Sequence, residues 1–141
     1  MRKLTRRLLG GAAAVVVVTA ATTVATTTAA SATTGTPSGA PPDDMDVWCV
    51  STTGAKACFK AYGDKVWVKD TVANGQSAAG TIKEDASPSG WYRECFNTRG
   101  ADGGWVMCDF DVPEYSAGVL WAVNNPFIGS QASTKIQTTI I

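Results

Sequence analysis

The strongest constraint on the fold is a pair of alternating segments that flank an Asn-Gly dipeptide at positions 74–75. Residues 65–72 and 77–84 alternate along the chain and are rich in β-branched and aromatic residues. A period of two predicts strands with one buried face. Asn-Gly is typical of a type I′ turn, because both central residues of that turn need a positive φ. We therefore predict a β-hairpin that places Trp67 opposite Ile82.

Short segments of the same kind recur from residue 47 to the C-terminal end of the chain. Turn residues separate them at intervals of about eight to twelve residues, which is typical of sandwiches and barrels. No long window has the 3.6-residue period of a helix. The predicted fold is all-β: an antiparallel β-sandwich (immunoglobulin-like) or a small barrel of about eight short strands, pinned by two disulfides.

An even number of cysteines in a small exported domain predicts disulfides. The four cysteines are Cys49, Cys58, Cys95 and Cys108. A turn at residues 53–54 would place Cys49 opposite Cys58, and a turn at residues 100–103 would place Cys95 opposite Cys108. Both bridges are predicted to lie across hairpins. The alternative is a zinc site, but eight and twelve residues separate the paired cysteines and the chain has no histidine.

The N-terminal residues 1–32 have the pattern of a signal peptide: a basic start, an apolar stretch and small residues for cleavage at 30–32. Residues 5–9 also fit a loose twin-arginine pattern. The alternative is a permanent membrane span over residues 8–24, but that run is diluted by Thr and Gly and falls short of the roughly 20 apolar residues needed. Cleavage predicts a secreted, extracellular protein.

A segment rich in Thr, Pro and Asp, residues 33–46, is predicted to be a disordered linker before a single β-domain at residues 47–141. Four of the twelve basic residues and none of the twelve acidic residues precede position 33, so the remaining chain carries a net charge of −4. We expect no nucleic-acid partner, no membrane contact after signal cleavage, and a monomer.

Few residues offer catalytic chemistry. Histidine is absent, the cysteines are assigned to disulfides, and no phosphate-binding or nucleophile-elbow motif occurs. Two carboxylate pairs, Asp109 with Asp111 and Asp64 with Asp70, could serve a glycoside hydrolase, but so small a domain hardly provides the cleft. We predict a protein that is not an enzyme and has no catalytic, metal or cofactor site.

Aromatic residues are spread over the predicted strands. The five tryptophans are Trp48, Trp67, Trp91, Trp105 and Trp121. Strand alternation places Trp67 and Trp121 in the predicted core, whereas Trp91 and Trp105 lie beside Tyr92 and glycine-rich turns and are expected to be exposed. The candidate binding surface comprises Trp91, Tyr92, Arg99 and Trp105.

Several of these positions form a pattern that covers most of residues 49–124. It comprises Ala57-Cys58-Phe59, Gly63-Asp64, Trp67-Val68, Asp70-Thr71, Asn74-Gly75, Ser77-Ala78, Cys95 and Trp105-x-x-Cys108. This set resembles small secreted proteins of filamentous actinomycetes (Streptomyces-type) that carry GD-x-x-x-V-x-D-T-x-x-D-G-x-S-A. Asn74 stands where Asp is more usual. The resemblance implies a secreted β-domain of unknown function and assigns no catalytic or binding residue.

The first functional hypothesis is a non-catalytic extracellular module that binds a protein or a polysaccharide through exposed aromatic rings. The alternative is a secreted protease inhibitor, in which the loop at residues 97–104 would present Arg99 in a rigid extended form. A small hydrolase ranks below both. A toxin or a structural surface protein has no sequence feature for or against it.

Overall fold

A computed structural model describes residues 31–85, 89–125 and 131–137. Ten strands and one short 3₁₀ turn, Ala101–Gly103, account for the regular structure of these residues. The strands are β1 (Ser31–Thr34), β2 (Thr36–Ser38), β3 (Val47–Thr52), β4 (Ala55–Lys60), β5 (Lys65–Asp70), β6 (Ala78–Glu84), β7 (Tyr92–Asn97), β8 (Trp105–Asp109), β9 (Ala117–Asn124) and β10 (Gln131–Gln137).

The strands form two five-stranded sheets that pack face to face. The first sheet has the order β1-β7-β6-β9-β10, and the second sheet has the order β2-β8-β5-β4-β3. Every pairing is antiparallel except that of β1 with β7, which is parallel. Because no ladder joins the two sheets among the described strands, the predicted all-β sandwich is confirmed and the barrel alternative is not.

The two shortest strands add one edge to each sheet. Between them Gly35 crosses from one sheet to the other, where a Cβ would come within 2.5 Å of the Val106 side chain. Thr favours strands, and Pro37 is tolerated because β2 is an edge strand. The predicted disordered linker is therefore wrong over residues 33–38. The predicted signal peptide, residues 1–32, lies outside the described residues except for the first two residues of β1.

The hairpin of β3 and β4 forms as predicted. Gly54 supplies a positive φ of 92° in its turn, and Cys49 lies directly opposite Cys58. The two cysteines form a disulfide. This bridge lies on the outer face of the second sheet, where Cys49 is exposed.

The predicted hairpin of β5 and β6 is wrong, because these strands belong to different sheets. Trp67 lies opposite Cys58 and Met107 rather than Ile82. The expected type I′ turn does not form, since Asn74 has no positive φ. Its Oδ1 instead accepts a hydrogen bond from the Gln76 N–H at 2.9 Å. The resulting loop is wide enough to carry the chain between the sheets.

The pairing of Cys95 with Cys108 is confirmed, but its predicted setting is wrong. The two residues form a disulfide, yet β7 and β8 lie in different sheets and are not a hairpin. Both cysteines are buried at 0% and 4% exposure. The bridge therefore joins the two sheets through the core.

The core between the sheets combines small and medium-sized apolar side chains. Its buried members include Ala55, Ala57, Phe59, Val66, Val68, Ala78, Ile82, Val106, Leu120 and Ala122. A buried amide crosses this space: Asn97 of β7 donates through Nδ2 to the Val68 carbonyl at 3.1 Å and to the Gly104 carbonyl at 2.9 Å. A satisfied buried polar group of this kind stabilises the packing of one sheet on the other.

Candidate functional site

The outer face of the first sheet carries a shallow depression that is lined in part by aromatic side chains. On β9 the residues alternate strictly, so that Leu120 and Ala122 are buried between the sheets while Trp121 and Val123 face outward. The predicted core position of Trp121 is therefore wrong. The inward positions of β9 hold smaller residues that fit the narrow gap between the sheets, which leaves the large indole on the outer face.

Three strands bring this surface together. In one cross-strand row Glu94 of β7 lies opposite Thr81 of β6, which lies opposite Trp121 of β9. In the next row Tyr92 lies opposite Lys83. These residues surround a shallow depression of about 220 Å³. Its lining comprises Thr81, Lys83, Tyr92, Glu94, Trp121, Val123 and Gln131.

A hydrogen-bonded cluster occupies one side of the depression. The Thr81 hydroxyl donates to Glu94 Oε1 at 3.2 Å, and the Tyr92 hydroxyl hydrogen-bonds with both side chains. Burial, followed by the neighbouring Glu94 carboxylate, raises the pKa of Tyr92 above its ordinary value of 10.0. Tyr92 is therefore a neutral hydroxyl at physiological pH and can donate or accept a hydrogen bond.

An aromatic ring occupies the other side. Lys83 Nζ lies 5.5 Å from the centroid of the Trp121 ring, in the range of a cation–π contact. Such a contact orients the ammonium group over a ring that is otherwise half-buried. The depression thus combines an indole face, a phenol, a carboxylate, an ammonium group and the Gln131 amide.

This combination suits a ligand with an apolar ring face and several hydroxyl groups. The indole can stack on the ring, while Glu94 accepts and Lys83 donates hydrogen bonds at its edge. It is less suited to holding a metal, since no group of three potential ligands lies close enough together anywhere in the described ranges.

The sequence-based candidate surface is divided among different places in the fold. Trp91 is only 3% exposed and belongs to the core, so its predicted exposure is wrong. Its ring lies over Gly118, where a Cβ would come within 3.1 Å of Trp91 Cη2. The missing side chain of Gly118, on β9 of the same sheet, leaves room for this indole, which the sequence analysis had placed on the surface.

The other three candidates do not share a face. Tyr92 lines the depression on the first sheet, whereas Trp105 is half-buried on the outer face of the second sheet. Arg99 is exposed in the loop between β7 and β8, and its Nη1 donates to the Gly103 carbonyl at 2.6 Å. Trp121 and Glu94 were missed, because their proximity depends on the register of β6 with both β7 and β9.

Comparison with known proteins identifies no relative: the chain matches no protein-family model, no curated protein and no solved structure. Within the described residues, no helix has the length and apolar character needed to cross a membrane.

Proposed function

We propose that the protein is a secreted, non-catalytic binding module that holds a polysaccharide chain against the depression on the first sheet. The observation that carries this proposal is the row that places Trp121 next to Thr81 and Glu94, with Tyr92 bonded to the same cluster. Aromatic stacking combined with convergent hydrogen-bonding groups is a common basis of small-molecule recognition.

The size of the depression favours a polymer over a free small molecule. Its volume of about 220 Å³ is below the roughly 300–1,000 Å³ of pockets that enclose drug-sized ligands. A single sugar ring can rest in it while neighbouring units of the chain extend along the sheet. Contacts between those neighbouring units and the sheet would add to the affinity that one ring provides.

Two features support secretion. The described domain contains two disulfides and no free cysteine, which is typical of proteins that fold in oxidising compartments. Residues 1–32 carry the charge and hydropathy pattern of a signal peptide. Both are consistent with an extracellular polysaccharide as the ligand.

The protease-inhibitor alternative receives less support from the loop that would carry it. Inhibitory loops bind in an extended form that is preorganised for the protease cleft. Here the loop contains the 3₁₀ turn Ala101–Gly103, and the guanidinium of Arg99 is bonded to the Gly103 carbonyl of the same loop. Arg99 would have to leave this contact to enter a specificity pocket.

A pull-down of the oxidised secreted protein on insoluble wall, plant and fungal polysaccharides tests the proposal. We expect at least one neutral polymer to retain the wild type but not the Trp121→Ala variant. Tyr62→Ala is the matched control, because Tyr62 is an aromatic residue at 77% exposure in the turn after β4. Equal retention of wild type and Trp121→Ala, or no retention of the wild type on any polymer, would contradict the proposal.

A further inference from the structure

The outer face of the second sheet gathers half of the basic residues that follow position 32. These are Lys56, Lys60, Lys65 and Lys69, on the adjacent strands β4 and β5. The sequence suggested no basic cluster, because these lysines are spread over fourteen positions. Antiparallel pairing brings them together on one face of an otherwise acidic domain.

The register places these lysines in two like-charge pairs. Lys60 lies directly opposite Lys65, and Lys56 lies directly opposite Lys69. Like charges in directly opposed cross-strand positions destabilise a sheet. Like charges placed opposite each other depart from the usual rules of sheet stability. Such departures are expected at functional sites when no other interaction in the fold compensates for them.

One lysine of the first pair forms ion pairs, and the other has a carboxylate in the facing cross-strand position. Lys60 hydrogen-bonds with Asp44 and lies 3.6 Å from Asp46, and Lys65 lies opposite Asp109 of β8. The hydrogen bond to Asp44 is the main reason that the pKa of Lys60 is raised. The repulsion between Lys60 and Lys65 is therefore offset within the protein.

The second pair has no such compensation. Among the described residues no carboxylate forms an ion pair with Lys56 or Lys69. Their row contains Ser51 on one side and Trp105 on the other. Lys56 Nζ lies 5.9 Å from the centroid of the Trp105 ring, so an indole face borders the two ammonium groups.

We propose that Lys56, Lys69 and Trp105 form a binding site for an acidic polysaccharide. An anionic group on one sugar would lie between the two ammonium groups, and the sugar ring would pack against the indole. This arrangement relieves the like-charge repulsion that the fold leaves uncompensated, and charge complementarity selects an anionic partner. The site lies on the opposite side of the sandwich from the depression, so it does not depend on the proposed neutral ligand.

Two other classes of partner fit less well. Single-stranded nucleic acid is usually held by several aromatic side chains along a basic groove, whereas this face offers one accessible indole, since Trp67 is 7% exposed. A protein partner would require an apolar centre to the interface. The apolar residues at the centre of this face are largely closed to solvent, since Cys58 is 0% and Trp67 7% exposed, so they offer little apolar surface to a partner.

The experiment measures binding of the oxidised protein to soluble polymers by calorimetric titration. The probes are polygalacturonate for carboxylates, dextran sulfate for sulfates, neutral dextran, and oligothymidylate. We expect the wild type to bind at least one of the two acidic glycans and neither of the other probes. The carboxylate and sulfate arms identify which anionic group is recognised.

The variant Lys56→Gln/Lys69→Gln should weaken binding by about tenfold or more, since each charge-assisted contact contributes substantially to affinity. Arg99→Gln/Lys135→Gln removes the same charge from outside this face, and its affinity should stay within about twofold of the wild type. The test variant should fold as well as the wild type, because it removes a repulsion. Its melting temperature is measured alongside.

Four results would overturn the inference. The first two are an affinity for neutral dextran equal to that for the acidic glycans, and a tighter affinity for oligothymidylate. The other two are an equal loss of acidic-glycan affinity in both double variants, and no binding of the wild type to either acidic glycan. The Trp121→Ala variant is titrated in parallel. Its acidic-glycan affinity should equal that of the wild type, so failure of the depression and failure of this site are distinguishable.

Discussion

The outer faces of the two sheets are both formed by the alternate, outward-pointing residues of antiparallel strands, but their side chains differ in chemistry. On the first sheet, Trp121 and Tyr92 lie around a hydrogen-bonded Thr81–Glu94 pair. On the second sheet, Lys56 and Lys69 face each other without a carboxylate between them. The first face satisfies its polar groups internally, and the second leaves charge uncompensated. This difference is the reason that we propose an anionic ligand for the second face and a neutral sugar ring for the first.

The largest expected effect is a crossed loss of binding. Trp121→Ala should reduce retention on the neutral polysaccharide by about tenfold or more, since buried aromatic contacts dominate most interfaces. Lys56→Gln/Lys69→Gln should do the same on the acidic glycan only. Affinity measurements of both variants on both polymers check this expectation. If either variant impairs both ligands equally, the two faces are not independent sites.

A second, smaller effect separates the faces by ionic strength. Raising the salt concentration from about 50 mM to about 500 mM shortens the Debye length several-fold and screens exposed charges. Acidic-glycan binding should fall several-fold across this range, and neutral-polysaccharide retention should change little. Titrations at four salt concentrations provide the measurement. A salt-independent affinity for the acidic glycan would argue against Lys56 and Lys69 as its main contacts.

A third effect concerns the hydroxyl of Tyr92. Tyr92→Phe should weaken retention on the neutral polysaccharide a few-fold, because one hydrogen bond contributes about 0.5–1.5 kcal/mol. Since the pKa of Tyr92 is raised above 10.0, the wild type should keep its hydroxyl protonated, and its affinity constant, up to about pH 10. Loss of affinity around pH 8 that is absent from Tyr92→Phe would show instead that the hydroxyl ionises early.

The two faces also show what alternation along a sequence can and cannot predict. Alternation identified eight of the ten described strands. It also paired Cys49 with Cys58 correctly, because the two-residue turn after β3 brings the next strand, β4, directly alongside it. It misassigned β5 with β6 because alternation is a property of one strand, while the pairing partner is set by the whole sandwich. The Cys95–Cys108 pairing was predicted from a hairpin that does not form, and the bridge exists instead because both residues face inward from opposed sheets.

The candidate site was harder to predict for the same reason. Trp121 was assigned to the core because its strand alternates, but alternation does not say which face is buried. The answer lay in Leu120 and Ala122, whose sizes fit between the sheets. Likewise, the pairing of Lys56 with Lys69 follows from the β4–β5 register, so charge counting along the chain could not reveal it.

The smallest expected effect tests the uncompensated charge directly through stability. Lys56→Gln should increase the free energy of unfolding by about 0.2–0.5 kcal/mol, because it removes a directly opposed like charge while keeping a polar side chain. The matched substitution Lys60→Gln should give no such gain, since it also removes the contacts with Asp44 and Asp46. Urea denaturation at low salt measures both, and high salt should reduce the difference between them. A loss of stability in Lys56→Gln would show that its contact with the Trp105 ring outweighs the repulsion, and would remove the physical reason for an anionic ligand at this face.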